Sequence, residues 1–230
     1  MGRFFVTGDT HGDFNRIYSF VDRMELTLDD TLIILGDAGL NFRLNSLDKM
    51  VKRDLKDLNV TLLCIKGNHE KYPEGLPNYK EKYWNGGKVF VEDEFPNLLF
   101  AKDGEIYNFN GKKTLVIGGA YSVDKFYRLS HGWPWFEDEQ PSDELKEYVN
   151  KLIEKENKFD YVLTHTCPIS TEPRHLFMEG LDQSKIDKTT EIWLQYIADN
   201  IEFGHWYFGH FHGYWNNGTY TLLFNDYEEL

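Results

Sequence analysis

The sequence predicts an α/β fold, on three observations. Five short hydrophobic runs have strand composition, each run stops abruptly at a cluster of Gly, Asp, Asn or His, and helical segments fit between them. The runs cover residues 4–7, 31–35, 60–66, 161–164 and 206–208. The clusters that follow read GDTHGD (8–13), GDAGLN (36–41), GNHE (67–70), HTCP (165–168) and GHFHG (209–213).

Taken in order, the first strand leads into a helix over 14–23, with Asp13 as its expected N-cap. The second leads into a helix over 47–58. Helices over 142–157, capped by Ser142, and over 189–200 precede the fourth and fifth strands. Polar clusters at the carboxyl ends of strands gather along one sheet edge, where α/β proteins place their ligands. Between the third and fourth clusters the pattern changes to short β runs at 88–91, 97–101, 106–109 and 114–117, turning at Asp103-Gly104 and Asn110-Gly111. A further hairpin is expected over 213–215 and 219–224, so a second sheet should pack on the first. Residues 119–141 have no clear period and many aromatics, which predicts a long functional loop or lid. The whole chain, 1–230, reads as one domain carrying that insert.

No run reaches the roughly 18 apolar residues of a membrane span, and the first residues lack a signal-peptide pattern. The two cysteines, Cys64 and Cys167, are too few for a disulfide framework or a thiolate zinc site; a soluble protein of the reducing cytoplasm is expected. A formal charge of −13 without clustered Lys or Arg disfavours long nucleic acids as partners.

The clusters have the donor chemistry of a metal site. Asp9 and His11 lie two apart at a strand end, where they can face one side, and carboxylate with imidazole suits a transition metal. His210 and His212 repeat the spacing. Asp37 follows a glycine and has two oxygens with which to bridge; Asn68 offers an amide oxygen and His165 another imidazole. His131, His175 and His205 have no such setting and receive no role.

In this order, D-x-H, GD, GNH(E), a lone H and GH-x-H resemble the calcineurin-like metallophosphoesterases, over about residues 9–212. The resemblance implies a four-layer αββα sandwich of two mixed β-sheets flanked by helices. It also implies two divalent ions, with manganese expected and iron, zinc or nickel compatible. One would be held by Asp9, His11, Asp37 and His212, the other by Asp37, Asn68, His165 and His210. A hydroxide on the metal pair would attack phosphorus, and His69 would protonate the leaving alkoxide.

Phosphoprotein phosphatases of this superfamily continue the second motif as GDxxDRG, whose later Asp orients the histidine and whose Arg binds phosphate. Leu40 and Asn41 stand at those positions. Glu70 or a backbone group would then have to support His69, and Asn41 could only hydrogen-bond a phosphate oxygen. Lys125 or Arg128 in the 119–141 loop is a candidate replacement contact, with Arg128 the one to test; an ion pair with Asp124 is its alternative. Tyr121, Tyr127, Trp133 and Trp135 could stack on a base or simply pack. The expected activity is hydrolysis of a small phosphomonoester, phosphodiester or nucleotide. A nuclease and an inactive binding scaffold of the same fold are the alternatives, opposed respectively by the acidic charge and by the complete ligand set.

Overall fold

The computed structural model describes residues 2–180 and 182–230. The first sheet takes β1 (Phe4–Thr7), β2 (Thr31–Ile34), β3 (Thr61–Cys64), β4 (Lys80–Trp84), β5 (Gly87–Val91) and β6 (Leu98–Ala101). The second takes β7 (Ile106–Phe109), β8 (Lys112–Ile117), β9 (Lys158–Thr164), β10 (Glu202–Phe208), β11 (Trp215–Asn216) and β12 (Tyr220–Leu222). The last strand, β13 (Tyr227–Glu229), returns to the first sheet. Spatial order is β13-β1-β2-β3-β6-β5-β4 in one sheet and β11-β12-β10-β9-β8-β7 in the other. In each, four neighbouring strands run parallel and antiparallel strands are added at the edges.

The α-helices among the described residues are α1 (Asn15–Met24), α2 (Ser46–Lys56), α3 (Lys125–Ser130), α4 (Asp143–Lys155) and α5 (Thr189–Asn200). Side-chain alternation along the strands sorts the apolar residues into three layers of core. Phe5, Leu32, Ile34 and Leu62 face Ile17, Phe20 and Leu55 of α1 and α2. The residues between them, Val6, Ile33 and Leu63, face the second sheet through Tyr107, Val116 and Leu163. On its other face that sheet packs Leu115, Val162 and Trp206 against Val149, Ile153, Leu194 and Ile197 of α4 and α5. The result is helix, sheet, sheet, helix. Each fully buried side chain of this kind contributes on the order of 1.5 to 3 kcal/mol. No helix among the described residues is long and apolar enough to cross a membrane.

Local details correct the sequence reading in three places. The N-cap of α1 is Phe14, not Asp13, although Asp13 Oδ1 still accepts the Asn15 N–H at 3.0 Å. Ser142 does cap α4, accepting from Leu145 N at 3.2 Å. The 119–141 segment is not wholly irregular, since it contains α3. Two strands went unread: β13 (YEE), which pairs with β1, and β4, which is mostly exposed and charged (KEKYW) and which only its pairing with β5 makes a strand.

Asp103, in the turn after β6, is buried and accepts the Gly118 N–H at 2.7 Å. Burial pushes its carboxyl from an ordinary 3.8 up to about 6, with Lys66 opposing. The folded state therefore binds the proton more tightly than the unfolded one. Its stabilising effect is complete below about pH 4 and is lost as the pH rises towards 6. Asp103→Asn, whose carbonyl can keep the Gly118 bond, is expected to raise the unfolding free energy from urea titration by at most ~3 kcal/mol at about pH 8, and by about a third of that at about pH 4.5. Equal shifts at both pH values would remove burial of the charge as the cause.

Candidate metal centre

All five sequence clusters meet at the carboxyl ends of β1, β2, β3, β9 and β10. The turns that deliver them are tight. His11, Asp37, His210 and His212 all have left-handed backbones, with φ of 47°, 49°, 71° and 49°. Such conformations are uncommon for these residues and persist only where surrounding contacts enforce them. Two glycines make the close approach possible: a Cβ on Gly36 would lie 2.1 Å from His165 Nδ1, and one on Gly67 would lie 1.9 Å from Asp37 Oδ1.

Asp37 sits at the middle. Its Oδ1 accepts the His69 backbone N–H at 2.7 Å, and its carbonyl accepts Thr10 N–H at 3.2 Å and His11 N–H at 2.8 Å. Its Oδ2 is 3.5 Å from His165 Nε2 on one side and 3.9 Å from His11 Nε2 on the other. His165 Nδ1 donates to the Leu35 carbonyl at 2.7 Å, so its proton is committed there and Nε2 faces the cluster. Nε2 meets Asn68 Oδ1 at 2.8 Å, and the Asn68 amide nitrogen is already engaged with Ser122 Oγ at 2.9 Å. Three acceptor atoms thus converge, and they need a cation between them, either a proton or a metal ion.

A second group lies beside it. Among the described residues Asp9 Oδ2 is buried without a hydrogen-bond partner, 3.2 Å from His212 Nε2 and 3.6 Å from His11 Nε2. The two imidazole nitrogens are themselves 2.9 Å apart. Asp9, His11 and His212, and likewise Asp9, Asp37 and His165, are close enough for each set to hold one ion. The His210 ring lies 5.0 Å from that of His165, and its backbone N–H is tied to Asp9 Oδ1 at 3.0 Å.

The protonation pattern follows from burial and mutual attraction. Burial opposes charge on His165, yet Asp37, followed by Asp9, holds its pKa up at about 9. Burial and the nearby His165 push His210 down to about 3. Burial also opposes charge on Asp9, but the neighbouring imidazoles of His11 and His212 keep its carboxyl well below the usual range.

His69 stands at the rim, its ring 5.2 Å from His11 and its Nε2 3.8 Å from Asp124 Oδ1. Glu70 does not support it. Both Glu70 oxygens accept backbone N–H groups instead, from Ala38, Gly39 and Leu40, each at 3.1 Å, which props up the turn carrying Asp37.

Asn41 is also turned inward: its Oδ1 accepts from Lys52 Nζ at 2.7 Å and Tyr79 OH at 3.0 Å, away from the cavity wall. Arg128 is only 1% exposed and lies behind the wall, not on it. Its Nη2 donates to Ser122 Oγ at 3.1 Å, the atom that also takes the Asn68 amide. The ion pair with Asp124 is present at 3.6 Å. Lys125 lies 3.7 Å over the Trp135 ring.

A cavity of about 480 Å³ opens over the cluster. Of the four loop aromatics, only Tyr121 lines it. Tyr127 stacks on His131 at 4.1 Å with Trp133 against it, and Trp135 Nε1 donates to Glu139 at 2.7 Å. Much of the wall comes from Leu176, Phe177, Met178 and Ile186. The sequence reading missed this segment because it has no regular period; its only signal was large apolar residues in a stretch that forms neither strand nor long helix.

A sequence-family model described as calcineurin-like phosphoesterase matches residues 2–214. No curated protein matches the chain significantly. Among solved structures, the protein TT1561 of Thermus thermophilus superposes with a TM-score of 0.53 at 14% identity, covering 99% of this chain and 97% of the other. The calcineurin-like phosphoesterase YfkN from Bacillus subtilis gives 0.42 at 13% identity, covering 96% and 80%. At these identities the likeness to TT1561 concerns the fold alone.

If Glu70 acts as a backbone prop, Glu70→Ala strands three N–H groups and is expected to cost about 3 kcal/mol in urea denaturation. Glu70→Gln keeps a carbonyl oxygen and should cost less than half of that. Equal losses would assign the effect to the charge of Glu70.

Proposed function

The chain belongs to the calcineurin-like phosphoesterase family of metal-dependent phosphoester hydrolases, and we propose that it cleaves small phosphate esters at a two-metal centre. Asp9, His11, Asp37 and His212 would hold one ion and Asp37, Asn68, His165 and His210 the other. The observation that carries this reading is the convergence on Asp37 Oδ2, with His165 Nε2 at 3.5 Å and His11 Nε2 at 3.9 Å on its two sides. The unpartnered, buried Asp9 Oδ2 supports it, because a desolvated carboxylate oxygen is costly unless a cation neutralises it. Nitrogen and oxygen donors accept manganese, iron, zinc or nickel.

Bound ions would supply Lewis acidity, lowering the pKa of a water and offsetting charge on the phosphoryl oxygens. The chain's own part is positioning and proton transfer. His69, fixed beside the cluster by its N–H bond to Asp37, would give its ring proton to the ester oxygen as the P–O bond breaks. The formal charge of −13 favours small substrates over long nucleic acids. Two buried free thiols, Cys64 and Cys167, are in keeping with a reducing cytoplasm.

The test is hydrolysis of p-nitrophenyl phosphate and bis-p-nitrophenyl phosphate by metal-stripped protein resupplied with manganese. Turnover should require the metal and fall by more than roughly 100-fold in Asp37→Asn. His69→Ala should lower kcat by roughly 10²- to 10⁴-fold on phenyl phosphate and by less on p-nitrophenyl phosphate, whose leaving group needs no proton. Metal binding without turnover of any ester would favour a scaffold.

A further inference from the structure

We propose that this site is shaped for a phosphodiester, with its two ester arms in two recesses that share His69: an apolar arm in the larger and a smaller arm, bordered by Arg43, in the other. The proposal rests on the hydrolase reading for the position of phosphorus, over the Asp and His cluster. The larger recess, about 480 Å³, has Asp37, Asn68 and His210 at its floor. The smaller, about 260 Å³, lies between His11, Gly39, Phe42, Arg43 and Val51. His69 lines both. A phosphomonoester has one organic group on phosphorus and fills one recess, whereas a diester has two and fills both.

Charge points the same way. A monoester reaches the site as a dianion near neutral pH and a diester as a monoanion, so the monoester needs more positive charge around it. Of the cations nearby, Lys52 is paired with Glu92 at 2.5 Å, Arg128 is buried against Ser122 at 3.1 Å, and Arg43 lines only the smaller recess, where the second arm would meet it. Lys188, a cation on the wall of the larger recess, is paired with Glu172 at 2.7 Å and lies 4.9 Å over the Phe177 ring. Asp124 and Glu191 add acidic groups to that same wall. A further phosphate on this arm, as in a nucleoside polyphosphate, would therefore meet net negative charge.

What the larger wall does offer is apolar surface. Phe177 and Phe211 stack with centroids 6.0 Å apart, and Val123, Met178 and Ile186 extend the patch. An uncharged aromatic or alkyl arm fits it. In the smaller recess Arg43 is exposed, with its guanidinium 5.5 Å over the Phe42 ring, which suits an arm with hydrogen-bond acceptors. Hydrolysis adds water across one P–O bond, releasing an alcohol, which takes its proton from His69, and a phosphomonoester.

Binding separates this proposal from turnover. Titration calorimetry of the manganese-supplemented protein would compare phenyl phosphate with diphenyl phosphate. Diphenyl phosphate is expected to bind at least tenfold more tightly, and Val51→Phe, which fills the smaller recess, should remove that advantage while leaving phenyl phosphate within about twofold. Equal or tighter binding of phenyl phosphate, no binding of diphenyl phosphate, or a ratio unchanged in a folded Val51→Phe protein would each overturn the two-armed site. If Val51→Phe does not fold, the wild-type ratio decides alone. Diphenyl phosphate held tightly but never cleaved, with no other ester cleaved, would uphold the two-armed site and overturn the hydrolase reading. Efficient turnover of phenyl phosphate without a diester preference in binding would do the reverse.

Discussion

Everything in the centre depends on keeping one carboxylate, Asp37, charged while nearly all of its surface is removed from water. An ion buried without compensation costs several kcal/mol, so the surroundings must answer it group by group. The His69 N–H takes one oxygen, His165 and His11 flank the other, and the carbonyl of the same residue receives two more N–H groups from the β1 loop. Glu70 holds the next three backbone N–H groups of the turn. Asp37 is thus both the electrostatic centre and the mechanical joint between three loops.

That arrangement explains the strained backbone. Each sheet delivers its strand ends to the same edge, but the side chains must then turn back towards one point a few ångströms across. The left-handed conformations at His11, Asp37, His210 and His212 supply those turns, and the glycines beside them leave room where side chains would collide. Two packed sheets give the turns a rigid base, since the strands that carry them are buried on both faces.

The departures from the phosphoprotein phosphatase motif are consistent with one another. Leu40 joins the core between the first sheet and its helices, and Asn41 becomes part of a buried polar group with Lys52, Tyr79 and Glu92. Both residues serve the packing of α2 instead of the cleft. The positive charge that an arginine would have placed in the cleft is not replaced from the 119–141 loop, because Arg128 is drawn inward to brace Ser122 and, through it, Asn68. Arg128 thereby touches the hydrogen-bond partner of a candidate ligand and lies off the cavity wall.

The sequence by itself determined the strands, most of the helices, and the residue types able to bind metal. Those features depend on local period, turn chemistry and donor chemistry, which neighbours in the chain already specify. It could also supply the layer order once a family resemblance was admitted. Only the tertiary structure decided where side chains point when two partners compete for them. Glu70 chose backbone N–H groups over His69, Asn41 chose Lys52 over the cleft, and Arg128 chose Ser122 over the cavity. The edge strand β4 and the apolar wall around Phe177 belong to the same class, because neither has a period of its own and both are defined by what they pack against. Such choices are settled by distance and burial between residues far apart in sequence, and no local pattern records them.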